Sequence, residues 1–141
     1  MNQEILDYLK TQRVGVLAVE MPDGSPHAAT VHFAYTENPL IFYFETYREY
    51  RKAEPILKNE MTRASFVIGA TEQDMKTLQL DGEVRLVTDK KIIEDIYLVK
   101  FPNKKAKLAA DPEKIIFFSF TPTWWRFTDW TSKTGKKILT S

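Results

Sequence analysis

Three basic residues, Arg48, Arg51 and Lys52, stand at the exit of the most apolar run in the chain, PLIFYF, where ETYREYRKAEPILKNE begins to read as a helix. Cations ordinarily avoid the start of a helix, because its free backbone N–H groups already carry partial positive charge. An anion among them reverses that balance, since a phosphate accepts from guanidinium, ammonium and backbone donors together. A solvated basic face partnered by Glu49 and Glu54 explains the same residues without a ligand, and is the commoner outcome for an isolated cluster. Pro55 restricts the helix to one that starts late, near Ala53 or Glu54, or kinks there.

The other chemistry-bearing residues are few. His27 and His32 share one strand-like segment, PHAATVHFAY, and at a spacing of five they face opposite ways, which argues against a common metal site. Trp124, Trp125 and Trp130 surround Arg126 near the C-terminus. Packing is the usual fate of such indoles; covering a flat aromatic ligand together with the guanidinium is the functional alternative. No pair of carboxylates stands out as acid and base, and no glycine-rich phosphate loop, nucleophile elbow or H-E-x-x-H is present.

Composition bounds what these residues can serve. A chain of 141 residues, 43% hydrophobic and 28% charged, suits a single domain spanning 1–141 with a real core. The net charge of +1 gives no general case for a nucleic-acid or membrane partner, so any anion must be held by a local cluster. Cysteine is absent, which removes disulfides and thiolate chemistry and fits a cytoplasmic setting. The N-terminal MNQEILDYLKTQ lacks the apolar stretch of a signal peptide.

The elements that must position the cluster are mostly strands. Ile5, Leu6 and Leu9 predict an opening helix behind Asn2 as its cap. RVGVLAVEM, the turn PDGS and PHAATVHFAY predict a hairpin, followed by strands in LIFYF and RASFVIGA (63–70). In KTLQLDGEVRLV, Leu78, Leu80, Val84 and Leu86 alternate with Thr77, Gln79, Asp81, Glu83 and Arg85, the pattern of a half-buried strand, with Gly82 marking a bend or bulge. Ile92, Ile93, Ile96 and Tyr97 predict a helix capped by Thr88 or Asp89. Beyond it lie a loop region broken by Pro102 and Pro112, with room for a short helical piece, and two strand-like runs, KIIFFSF and TWWRFTDW. The expected fold is mainly β with flanking α: an antiparallel barrel of six or seven strands and two or three helices. In LIFYF and IIFFSF both parities are apolar, so the outer face needs a cover. A helix or a second subunit would supply one, and the aromatic content favours a homodimer.

The order of these features resembles the FMN-binding split-barrel family related to pyridoxamine 5′-phosphate oxidase. GVLAVEMPDGSPHAATVHFAY is similar to that family's opening hairpin with its D-G-x-P turn. FYFETYREYRKAEPIL is similar to its strand, threonine or asparagine, S-R-K and helix, and LQLDGEVRLVTDKKIIEDIY to its long strand with a central glycine before a helix. Together these cover roughly positions 10 to 100. The resemblance implies that Arg51 and Lys52 hold the FMN phosphate, with Thr46 nearby, and ranks them ahead of Arg48 of the same basic cluster. It implies that His27, Thr30 and His32 lie on the strand beside the isoalloxazine, and that Thr77 replaces a flavin-contacting glutamine. Two subunits share each flavin in the family, so Trp125 and Arg126 are implied to reach in from the partner chain. The wet parity of Thr77 agrees with a cofactor on the barrel's exterior.

Three departures shape the functional expectation. Tyr50 stands where the serine of S-R-K is expected, Thr77 is shorter than glutamine, and no histidine follows His32, so the C-terminal R-x-H substrate signature is missing. The expectation is therefore a cytoplasmic, homodimeric FMN-dependent oxidoreductase whose partner is another small-molecule substrate or a nicotinamide electron donor. A flavin carrier or redox sensor, and a haem- or deazaflavin-binding relative, are the alternatives.

Overall fold

The computed structural model describes residues 1–69 and 71–141. Helix α1 (Gln3–Lys10) begins where Asn2 accepts a hydrogen bond from the Glu4 amide at 2.8 Å, and its buried stripe is Ile5, Leu6, Tyr8 and Leu9. The expected hairpin follows as β1 (Val14–Glu20) and β2 (Pro26–His32), paired from Val14↔His32 to Glu20↔Pro26. Its turn contains Gly24 at φ +84°, a conformation other residues adopt only with strain.

The returning strand does not run through HFAY as one piece. It breaks at Phe33, whose fully buried ring points into the core, and β3 (Ala34–Glu37) then pairs with β4 (Leu40–Tyr47) instead. Helix α2 (Ala53–Lys58) starts late, as Pro55 requires. It has only six residues, and Lys52 stands at its N-cap with no side-chain cap hydrogen bond. Strand β5 (Thr62–Ile68) occupies most of the predicted 63–70 segment, of which Ala70 lies outside the described residues. A short 3₁₀ turn, Glu72–Asp74, leads into β6 (Lys76–Val87).

The helical region after β6 opens with α3 (Lys90–Ile92), where the Asp89 carboxylate accepts from the Lys91 amide at 2.9 Å. It continues through a π-helical turn (Ile93–Tyr97) into α4 (Leu98–Lys100), and α5 (Lys104–Ala110) follows. The two C-terminal runs expected as separate strands are one 15-residue strand, β7 (Ile115–Asp129). Its register against β6 shifts between Asp81 and Gly82, the bulge that the glycine marks. A Cβ on Gly82 would collide with the Thr121 carbonyl oxygen, so only glycine permits that close approach. A further strand absent from the sequence reading, β8 (Lys137–Thr140), pairs with β7.

These eight strands form an antiparallel sheet in the order β2-β1-β5-β6-β7-β4-β3, with β8 added on β7, and the sheet curls into a split half-barrel. Its inner face carries Leu17, Val19, Phe42, Phe44, Phe66, Leu78, Leu80, Phe118, Phe120 and Phe127, all essentially inaccessible. Phe44 stacks on Phe118 with centroids 5.1 Å apart, and Phe66 meets Phe44 edge-on at the same distance. The outer face of β4 and β7 is covered within the chain. Tyr43, Ile115 and Phe117 pack against Tyr97, Leu98 and Phe101 of the helical segment, closing a second cluster with Ala34. The second apolar parity of LIFYF and IIFFSF is thus explained by a helix, and a dimer must be argued from other features. No helix among the described residues is long and apolar enough to cross a membrane.

Candidate functional site

The two ends of the sheet path do not join. Beside β2, strand β4 runs without a hydrogen-bonded ladder to it, and the split holds a cavity of about 210 Å³. Four residues singled out in the sequence line it: Thr30 and His32 from β2, Thr46 from β4, and Lys52 just ahead of α2. Alternation explains the first pair, because the even-numbered residues of β2 face out while Val31 points into the core.

Lys52 is only 8% exposed, and its ammonium has no ion pair or hydrogen bond among the described residues. Its nearest aromatic partner is the Tyr50 ring, 5.0 Å from the nitrogen. Burial holds its pKa below the ordinary lysine value, and the Glu45 charge only partly offsets this. Thr46 is more telling. Its hydroxyl is fully buried and is the one buried side-chain polar atom without a partner among the described residues. A hydroxyl in that state costs about 1–3 kcal/mol, so it marks a place where an acceptor or donor is expected.

The rest of the lining went unnoticed in the sequence. Glu45 faces the helical segment from the outer side of β4, its side chain 11% exposed. Lys104 and Lys107 of α5 approach its carboxylate at 3.3 and 3.7 Å. Lys107 also lies 4.1 Å from the Tyr47 ring centroid, and that neighbour first, with Glu45 adding, holds its pKa above the ordinary value. Burial, and secondarily the Glu45 charge, raise the pKa of Tyr97 at the cavity wall. His32 stays neutral more readily than a free histidine: burial lowers its pKa, and the positive charges of Lys104 and Arg13 lower it further. The short helical piece expected between Pro102 and Pro112 is α5, but the i, i+3 spacing of its two lysines says nothing about the strand they face.

The remaining predicted residues lie elsewhere. Arg51 is exposed, and its charge reaches the β1–β2 turn, where Asp23 is held low mainly by Ser25 and to a lesser extent by Arg51. Arg48 donates from Nε to the Glu113 carbonyl at 2.8 Å and lines a separate cleft of about 950 Å³ between the helical segment and β7. His27 falls on the inward parity of β2 opposite Val19. Thr77 and Arg126 share the outer face of β6 and β7, where Arg126 bonds to Gln79 at 3.3 Å. Trp125 is on the other face, half-buried against the core of its own barrel, while exposed Trp124 lies beside Arg126. Among the described residues no group of three His, Asp or Glu side chains is placed to hold a metal.

Lys52, Lys104 and Lys107 outnumber the Glu45 carboxylate in this lining, a charge balance that suits an anion. Three ammonium groups, one neutral imidazole and an unsatisfied hydroxyl converge on a space too small for a whole cofactor but ample for a phosphate.

Solved structures with this fold include proteins of differing ligand. A protein related to general stress protein 26 from Clostridium acetobutylicum is 15% identical, with a TM-score of 0.70, covering 99% of this chain and 92% of its own. An FMN-binding protein related to pyridoxamine 5′-phosphate oxidase from Nostoc punctiforme is 14% identical, with a TM-score of 0.61 and coverage of 98% and 86%. A haem-binding protein from Mycobacterium smegmatis is 13% identical, with a TM-score of 0.68, covering 94% of this chain and 54% of its own. At these identities the likeness is one of fold. No curated protein sequence matches the chain significantly. The family model described as pyridoxamine 5′-phosphate oxidase matches residues 1–129, nearly the whole chain, and the protein therefore belongs to the pyridoxamine 5′-phosphate oxidase family.

Proposed function

We propose that the protein binds FMN, seats its phosphate in the cavity at the barrel split, and acts as a flavin-dependent oxidoreductase. The observation that carries the reading is the buried, unpartnered Thr46 hydroxyl beside the unpaired ammonium of Lys52. A phosphate oxygen satisfies both, and Lys104 and Lys107 stand within the same lining. When bound, the flavin would supply hydride or electron transfer, and the chain's contribution is to hold and shield it. Thr30 and His32 stand on the outer side of β2 at the cavity rim, where the ligand leaves the phosphate seat.

A cavity of about 210 Å³ falls below the ~300–1,000 Å³ usual for a complete small-molecule site. The ring must then lie on surface outside it, and a second subunit is the natural cover. A homodimer is accordingly part of the proposal, with Arg126, Trp124 and Thr77 on an outer face that a partner chain would meet. Pyridoxamine 5′-phosphate itself is not the proposed substrate, since no histidine follows His32.

Haem is the second reading. A haem-binding protein shares the fold, and a neutral histidine, His32, stands at the rim of a basic cavity that suits a propionate. Absorption of the purified protein, recorded before and after addition of FMN and desalting, tests the proposal. Flavin bands retained at about one per chain support it. An intense Soret band, or a protein that stays colourless after FMN, overturns it.

A further inference from the structure

Glu45 has no obvious reason to be where it is. It projects from the outer face of β4 beside the anion seat, where a carboxylate opposes any phosphate, and yet it is deeply sheltered and holds two lysines of α5. Tyr43, on the same face two residues earlier, packs into an apolar cluster, so position 45 is not forced to be charged by a generally wet surface.

Removing Glu45 from the balance would leave Lys52, Lys104 and Lys107 crowded round one small space without a counter-charge. Like charges in a sheltered site repel strongly, because the effective dielectric there is well below that of water. The carboxylate therefore keeps the ligand-free cavity tolerable and keeps α5 drawn onto β4. It also leaves two positive charges in excess, close to the −1.5 to −2 of a phosphate monoester at neutral pH.

We propose that Glu45 is an internal stand-in for the ligand's phosphate, holding Lys104 and Lys107 in place until a phosphate monoester entering beside Lys52 and Thr46 takes those two ammonium groups over. The site thereby recognises a doubly charged terminal phosphate and discriminates against the same ligand without it. The identity of the ligand as FMN rests on the reading above; the exchange of carboxylate for phosphate needs only a phosphate monoester.

The test compares wild type, Glu45→Gln and the double variant Lys104→Ala/Lys107→Ala, with FMN, riboflavin and inorganic phosphate as probes. Flavin binding is read by fluorescence quenching and phosphate binding by the shift in melting temperature. Glu45→Gln should bind FMN about five- to tenfold more tightly, because the competitor is gone, while riboflavin binding stays within twofold. The lysine double variant should lose about ten- to a hundredfold for FMN and little for riboflavin. FMN binding that is weakened or unchanged in Glu45→Gln overturns the stand-in, as does a double variant that binds FMN like wild type. If wild type binds neither flavin, the flavin reading fails and phosphate decides the rest. A larger phosphate-induced shift in Glu45→Gln than in wild type sustains the stand-in, and an equal, smaller or absent shift overturns it.

Discussion

The outer face of β4 is two different surfaces within four residues. At Tyr43 it is dry: the ring packs with Phe117 and Ile115 of β7 against Tyr97, Leu98 and Phe101. At Glu45 and Tyr47 the same face meets the lysines of α5 over an open cavity. Both ends are covered by the same helical region, so coverage does not distinguish them. What differs is whether the covering residues satisfy one another. The dry end is apolar and closed, whereas the wet end adjoins an orphan hydroxyl at Thr46, on the inward parity of the same strand, and an ammonium at Lys52 unpaired among the described residues. Apolar burial is concentrated at one end of the strand and unmet bonding capacity at the other, which is how a binding site differs from a core.

Substitutions can break that contrast. The largest effect on folding is expected from Tyr43→Ala, which opens a void in the dry cluster and should cost about 3 kcal/mol in chemical denaturation, while the preference for FMN over riboflavin stays as in wild type. Loss of that preference would mean the two ends are one unit.

A smaller effect sharpens the comparison from the wet side. Thr46→Val keeps the shape and removes the unsatisfied hydroxyl, so stability should be unchanged or rise by up to ~1 kcal/mol. The same variant should bind FMN roughly fivefold more weakly, the loss of about one neutral hydrogen bond. A clear loss of stability without ligand would show that the hydroxyl already has a partner.

The smallest effect concerns Lys100, whose ammonium lies near Phe101 of the dry cluster. Lys100 lies 4.6 Å from the Phe33 ring centroid and 5.8 Å from that of Phe101, and donates to the Gln12 carbonyl at 3.3 Å. Burial, with the Arg13 charge adding, lowers its pKa from the ordinary 10.5 to about 8. Between those two values the folded chain has released a proton that the unfolded chain still holds, so this group makes stability rise with pH across the window, and contributes no slope below it. Half-exposure keeps the rise modest. Lys100→Met should flatten the difference in melting temperature between pH 8 and pH 10, and an unchanged slope would assign it to other groups.

Much of this architecture was legible in the residues. Strict alternation marked β6 and its wet face, Asp89 and Asn2 marked two helix starts, and Gly82 marked the bulge. The ordered set of hairpin, basic turn and long strand pointed to the family that the comparison supports. The misses share a physical cause, which is dependence on distant contacts. Nothing local says that KIIFFSF and TWWRFTDW join across Thr121 and Pro122, because a strand that is apolar on both faces and then polar looks like two. Nothing local pairs Lys104 with Glu45, 59 positions earlier. The turn ahead of α2 also separates residues that the sequence treats as equals: Lys52 is turned into the cavity while its neighbour Arg51 is left in solvent.

The central claim is that this cavity holds a phosphate, and the most direct test is the ratio of riboflavin to FMN dissociation constants in wild type and in Lys52→Ala, which removes the buried ammonium of the cavity lining. One charge-assisted contact of about 1.5–3 kcal/mol corresponds to roughly a ten- to hundredfold loss for FMN. The account predicts that loss for FMN, with riboflavin nearly unaffected, so that the ratio falls toward one. An equal loss for both flavins would contradict it, since Lys52 would then act through folding rather than through the phosphate.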